Sequence, residues 1–220
     1  KVPEFYQRLK WFVTYQQKND HFLAIEINST GAILLSLAPK KRLEKILKAL
    51  LDENEFLSPG GIRSLSKIHE KPYVINIDGK EFGLNYEPGE SQTALFGGNS
   101  NWRGPVWMPI NYLTISALNK YFQFFDEDLL AEYPTHSGQS LNLKMVAGQL
   151  SQRLINNFTR NNEGKRKING GNTLLDENQY FDNLVLFYEY FHGDNGKGIG
   201  ASHQTGWTGL IAEIIRKNVD

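Results

Sequence analysis

The chain has 220 residues, with 24 Lys and Arg balancing 24 Asp and Glu. This leaves no global basic field for nucleic acid and no acidic excess of a disordered chain. Forty per cent of the residues are hydrophobic, enough for one sizeable core and for one domain or at most two. There is no Cys, which excludes disulfides, thiolate metal sites and cysteine nucleophiles and leaves the compartment open.

No stretch of about 18 consecutive apolar residues occurs, so no membrane-spanning helix is expected. The first ten residues, KVPEFYQRLK, lack the apolar core of a signal peptide. The chain begins with Lys1 rather than Met, so the expectation is a fragment or a processed product. The 13 Phe, 10 Tyr and 4 Trp suit either an aromatic core or a pocket that stacks flat apolar faces such as those of sugar rings.

Glu4 to Gln17 places Phe5, Leu9, Phe12 and Val13 at helical spacing, with Gln16 interrupting the face. Asn19 to Ser36 is ambiguous: AIEI and AILLSL fit short strands on either side of turn residues Asn28, Ser29, Thr30 and Gly31. Lys40 to Leu51 reads as an amphipathic helix. Pro39 stands at its start, and Leu43, Ile46, Leu47 and Leu50 form its apolar stripe. The run Lys40, Lys41 and Arg42 reads as a solvated face.

From Asp52 to Gly98 the helical period is lost, and Pro59-Gly60-Gly61, Pro72, Asp78-Gly79 and Pro88-Gly89 punctuate the chain. Loops of this length are usually functional or mobile. A strand at Tyr73 to Ile77 turning at Asp78-Gly79 fits inside it. Arg63, set among small residues, reads as a surface side chain.

Pro105 to Phe125 restarts the helical pattern, with Pro109 kinking or delaying it and Ile110, Leu113, Ile115, Leu118 and Phe122 on a broad apolar face. Leu141 to Phe158 is the next helix, with Ser140 as its N-cap. Asn161 to Asn178 reads as loop, Asp182 to Phe191 as a short apolar helical segment, and Thr205 to Lys217 as the closing helix. About six helices joined by long loops, with no βαβ alternation and no fixed repeat, make an all-α class. The missing repeat also weakens an interaction solenoid as a reading.

Two loops carry the unusual chemistry. Gly97 to Tyr112 (GGNSNWRGPVWMPINY) sets Trp102 and Trp107 on either side of Arg103 and a Gly-Pro bend. Indole faces with N–H edges and a planar guanidinium suit a ligand with many hydroxyls. Leu186 to Leu210 sets Glu189 among Tyr188, Tyr190 and Phe191, where partial desolvation suits a general acid or base. A loop with Gly193, Gly196, Gly198 and Gly200 follows. It is not a phosphate loop, because Lys197 precedes Gly198 rather than Ser or Thr. Asp194 has too few acidic companions for a calcium loop. His192 and His203 lack metal-ligand spacing and read as hydrogen-bonded histidines, so no metal or other cofactor is expected. No Gly-x-Ser-x-Gly elbow marks a serine hydrolase.

Together, GGIRSLS at 60–66, NWRGPVWMPINYL at 101–113 and the pair YEYF at 188–191 and GASHQTGWTGL at 200–210 resemble the C-terminal catalytic domain of glycoside hydrolase family 63. That family holds processing alpha-glucosidases and mannosylglycerate-hydrolase-like enzymes. The resemblance runs from about Arg42 onward, with a more distant similarity to trehalases. It implies an (α/α)6 barrel, with long loops over one mouth, that hydrolyses an alpha-glycosidic bond with inversion. By the same resemblance Glu189 is the general base. Trp102, Arg103, Gly104, Trp107 and Asn111 line the sugar pocket, and His203, Gln204 and Trp207 close it.

Inversion needs two carboxyl groups roughly 6.5–9.5 Å apart. The family's acid is an Asp in an upstream motif that these 220 residues lack, and a whole barrel needs about twice the helices seen here. Residues 1–220 are therefore expected to form the C-terminal half of the catalytic domain, inactive alone, with the N-terminal half and an oligosaccharide or small glycoside as partners. Asp176, Asp182 and Asp194 are disfavoured as the acid. The alternative is a non-catalytic carbohydrate-binding or scaffold module built on the Trp102 and Trp107 wall.

Overall fold

The computed structural model describes residues 2–18, 24–93 and 101–219. Gly97 to Ser100 of the first loop lie outside the described residues. In chain order, α1 (Pro3–Lys18) precedes the antiparallel hairpin β1 (Ala24–Ile27) and β2 (Ile33–Ser36), then α2 (Lys40–Leu50). Two further hairpins follow: β3 (Leu57–Ser58) with β4 (Gly61–Ile62), and β5 (Tyr73–Ile77) with β6 (Lys80–Leu84). Next come α3 (Met108–Phe125), the hairpin β7 (Leu130–Glu132) and β8 (Ser140–Asn142), and α4 (Leu143–Phe158). The one-turn α5 (Thr173–Asp176), the pair β9 (Tyr190–Phe191) and β10 (Gly198–Ile199), the one-turn α6 (Thr205–Thr208) and α7 (Leu210–Val219) complete it.

The core forms where α3, α4 and α7 pack together. It holds Ile115 and Leu118 of α3, Leu143, Val146, Ala147, Leu150 and Leu154 of α4, and Ile211 and Ile214 of α7. From α2, Leu43, Leu47 and the following Leu51 close one side of it. The α4 stripe is buried because its apolar residues repeat at helical spacing against two neighbouring helices. Helix α1 differs: Phe5, Tyr6, Trp11, Phe12 and Tyr15 are all exposed.

Among the described residues the all-α expectation gives way to a mixed architecture of helices and five two-stranded sheets. The β5–β6 hairpin turns at Asp78 (φ 52°) and Gly79 (φ 79°), the left-handed pair that a tight hairpin turn demands. Pro109 delays α3 to Met108, where the missing N–H falls within the first turn. Asn142, not Ser140, caps α4, accepting a bond from Met145 N at 2.9 Å. Ser140 is instead paired with Glu132 in the preceding hairpin.

Asp182 to Phe191 is not a helix. The amides of Phe187, Glu189 and Phe191 donate to the carbonyls of Ser202, Ala201 and Val106, which leaves none for a helical ladder. The expected closing helix is two segments meeting at Gly209. The 161–178 loop contains a 3-10 turn at Lys167–Asn169 as well as α5.

Leu154 has no exposed surface and lies where α4 meets β4, so truncation there leaves a cavity under the loops. Leu154→Ala is expected to lower stability by about 2–5 kcal/mol, read from the midpoint of urea unfolding. A change below about 0.5 kcal/mol would contradict this packing.

Candidate active site

Three segments far apart in sequence are laced together by backbone hydrogen bonds. Val106 exchanges both bonds with Phe191, at 2.8 and 2.9 Å. On its other side, Val106 bridges to Arg63, and Ser64 N donates to Pro105 O at 3.0 Å. Gly104 N then donates to Ser64 Oγ at 3.1 Å. Because strand residues alternate sides, Val106 and Phe191 enter the main core, whereas Trp107 and Tyr190 face the opposite way and form a second cluster with Ile199.

Asn111 clamps the same junction from α3. Its Oδ1 accepts Ile62 N at 2.7 Å, and its Nδ2 donates to Ile62 O at 3.0 Å and to Trp107 O at 2.9 Å. The loop can reach the helix this closely because Gly61 has φ +135°. A Cβ there would stand 2.8 Å from Asn111 Oδ1 and 2.9 Å from Leu154 and Val106.

Arg63 is 5% exposed rather than a surface side chain. Its guanidinium donates to the carbonyls of Glu53, Glu55 and Leu57, to Tyr86 Oη at 3.0 Å and to Asp194 Oδ1 at 3.1 Å. Tyr86 donates to the same Asp194 oxygen at 2.9 Å. Burial pushes the Tyr86 phenol well above its ordinary range, with Arg63 opposing the shift. Asp194 is thus tied to an Arg and a Tyr. Asp176 is likewise buried and accepts from Asn169 Nδ2 at 2.7 Å, and the Asp182 carboxylate lies 3.6 Å from Arg160.

Glu189 precedes β9 and is half-buried. Its amide donates to Ala201 O at 2.8 Å, and Ala201 N approaches its Oε2 at 3.4 Å. Two glycines make this approach possible. A Cβ on Gly198 would run into the Tyr188 ring, and one on Gly200 (φ +74°) would stand 2.7 Å from Glu189 Oε2 and 2.9 Å from the Tyr190 ring. Thr208 holds the other side by donating to Tyr188 O.

Beside Glu189, Trp107 is sandwiched between Trp102, with centroids 3.9 Å apart, and Tyr190, 4.7 Å away. Trp207 leans on Trp107 at 5.3 Å with its plane tilted by 57°. Trp107 is 1% exposed, and its indole N–H donates to Asn101 O at 3.0 Å. Trp102 and Trp207, at 39% and 38%, keep faces open to solvent. Burial, then the charges of Glu90 and Glu189, push the Tyr190 phenol up to about 12.

The residues expected to line a pocket therefore fall into two groups. Trp102, His203, Gln204 and Trp207 are at least partly accessible. Arg103, Gly104, Trp107 and Asn111 are buried behind them. Arg103 makes a two-pronged pair with Glu87, with side chains 2% and 9% exposed, and also donates to Ser91 Oγ at 2.7 Å. Gly104 (φ +142°) lies against the Tyr86 ring, which leaves no room for a Cβ. Tyr86, Glu87 and Asp194 all help to build the site. The acid of NYEP beside a Pro-Gly bend is the available signal for Glu87.

Among the described residues no group of three or more His, Asp or Glu stands together to hold a metal ion. No described helix is long and apolar enough to cross a membrane. His203 is exposed. His192 accepts a bond at Nδ1 from Asp194 N at 3.1 Å, which places its proton on Nε2.

Burial holds the His192 pKa below its ordinary value of 6.5, with Asp194 opposing and Lys197 adding to the shift. A depressed histidine contributes stability that is fully present above the unfolded pKa of about 6.5 and is lost as pH falls through the folded value. The wild-type melting temperature should therefore drop below about pH 6.5, and His192→Gln should flatten that drop in a series of melts from pH 8 to 5. Identical pH profiles for the two proteins would refute the assignment.

Residues 5–208 match the family described as the mannosylglycerate hydrolase MGH1-like glycoside hydrolase domain. An uncharacterized protein of Saccharomyces cerevisiae is 46% identical over 96% of this chain. The mannosyl-oligosaccharide glucosidase of Saccharomyces cerevisiae and a probable mannosyl-oligosaccharide glucosidase of Schizosaccharomyces pombe are each 28% identical, over 82% and 84% of it. The chain spans 20%, 16% and 17% of the length of these relatives. The resemblance to glycoside hydrolase family 63 is thus supported both by the family match and by the glucosidase relatives. This chain belongs to the MGH1-like glycoside hydrolase domain family.

Proposed function

We propose that these residues form the base-bearing part of an inverting glycosidase that hydrolyses alpha-glycosidic bonds. The observation that carries this reading is the placement of Glu189. It is half-buried, it is held by the Gly200–Ala201 turn, and it adjoins an aromatic stack with two exposed indoles. In this role Glu189 takes a proton from water as the water oxygen attacks the anomeric carbon. The carbon–oxygen bond to the leaving group breaks, and an acid protonates the departing oxygen.

The acid is proposed to lie outside these residues, because Asp176, Asp182 and Asp194 are each engaged structurally. The small share of the longer relatives covered here supports that placement. The helices would then be the C-terminal half of an (α/α)6 barrel, completed by an N-terminal half and inactive without it. Trp102, Trp207, His203 and Gln204 contact the sugar of an oligosaccharide or small glycoside. Arg103, Gly104, Trp107 and Asn111 hold that surface from behind.

In the polypeptide carrying the whole catalytic domain, Glu189→Gln should reduce kcat on an alpha-glycoside by about 10²–10⁴-fold while leaving the affinity for the sugar little changed. Undiminished turnover would sink the assignment. Gly200→Ala places a Cβ against Glu189 Oε2 and forces a left-handed backbone on Ala. It is expected to lower kcat by about 10²-fold and stability by about 1–3 kcal/mol, measured by steady-state kinetics and thermal melts of the same preparation. Normal kcat in a variant with that stability loss would show that the turn does not position Glu189.

A further inference from the structure

The segment 85–92 and the reversal at 192–199 face each other across a cavity of about 700 Å3. That size falls in the range of small-ligand pockets. The cavity walls are pinned from behind. Arg103 grips Glu87 and Ser91, Asn101 Nδ2 donates to Glu87 O at 2.7 Å and to Gly89 O at 2.8 Å, and Gly193 N donates to Pro88 O at 2.8 Å. A cavity held this way does not depend on a ligand to form.

Its lining offers both signs of hydrogen-bonding group. Glu90 supplies a carboxylate and Gln92 an amide, with Ile199 as an apolar patch, while the Lys197 side chain runs over Gly170. His192 lines it too, and because its Nδ1 is already used, its Nε2–H is the free donor. Such a mixture suits a neutral polyhydroxylated ligand better than an ion of either charge. The Glu90 side chain is exposed and makes no hydrogen bond or ion pair among the described residues. About four lone-pair positions on its carboxylate are thus available to hydroxyl donors. Glu189 does not line the cavity, although Tyr190 and Ile199 of the β9–β10 pair join the two places.

We propose that this cavity is a second sugar subsite, taking a unit other than the one whose bond is broken, and that Glu90 is its specificity-determining residue, accepting hydrogen bonds from that unit's hydroxyls. The inference rests on Glu189 being the base. A sugar engaged at Glu189 leaves the cavity empty, so only a substrate of at least two rings fills both places.

The test uses the polypeptide with its whole catalytic domain. The substrates are alpha-linked glucose and mannose trisaccharides, and the corresponding alpha-glycosyl fluorides, which carry a single ring. Glu90 is exposed, so Glu90→Ala and Glu90→Gln should keep the fold. Both should lower kcat/KM for the trisaccharide by about tenfold or more, mainly through KM, with fluoride turnover within about twofold of wild type. Equal losses on both substrates, or no loss on either, would overturn the proposal. Calorimetric titration with the trisaccharides gives a readout that does not need hydrolysis, and Glu90→Ala should weaken binding by the same factor. A wild-type protein that binds but hydrolyses none of these substrates would refute the role of Glu189 alone. Trisaccharide binding that is absent, or unaffected by Glu90→Ala, would refute the subsite.

Discussion

Val106 exchanges two backbone hydrogen bonds with Phe191 on one side and bridges to Arg63 on the other, with no exposed surface of its own. Each bond contributes only about 1 kcal/mol net, but a slip of one residue would strand buried amides and carbonyls without partners. It would also invert the alternation that sends Val106 and Phe191 into the main core and Trp107 and Tyr190 into the second cluster. The aromatic stack, the position of Glu189 and the reach of the glycine loop all follow from this register.

Two buried guanidinium groups hold the junction from opposite ends. Arg103 fixes the segment 85–92 through Glu87, and Arg63 ties β3, Tyr86 and the 192–199 reversal together through carbonyls and Asp194. Buried pairs of this kind are poor sources of net stability, since desolvation offsets most of the attraction. Their geometric selectivity is high, because a planar guanidinium tolerates few arrangements of acceptors. The loops around Glu189 are therefore ordered by polar contacts that specify position, on a helical base whose apolar packing supplies the stability.

Much of this was legible in the sequence where local chemistry decides the outcome. The α2 and α4 stripes and the Asp78-Gly79 hairpin needed no knowledge of distant residues. The motif around Glu189 stands out in the sequence as a candidate because a lone acid before glycines has little use in packing. The 182–191 segment was not, since a short apolar run reads alike as helix or as buried extended chain, and its partners Ser202, Ala201 and Val106 are set by the tertiary fold. Arg63 was misplaced for a similar reason: its acidic partner is 131 positions away. Arg103, Trp107 and Asn111 are candidate pocket residues by sequence, and only the structure shows them buried.

The β5–β6 hairpin sits in the sequence between the Arg63 and Arg103 anchors, and Tyr86 N closes its base by donating to His69 O at 2.8 Å. Its strand residues are exposed along nearly their whole length. The chain thus makes a self-closed excursion there and returns to the junction at a point that does not depend on how far it travelled. Length change is cheap at such a place. The hairpin is the natural point at which this scaffold accepts a graft, a label or a trimmed turn, and the place where relatives can diverge in length while the laced segments on either side keep their register.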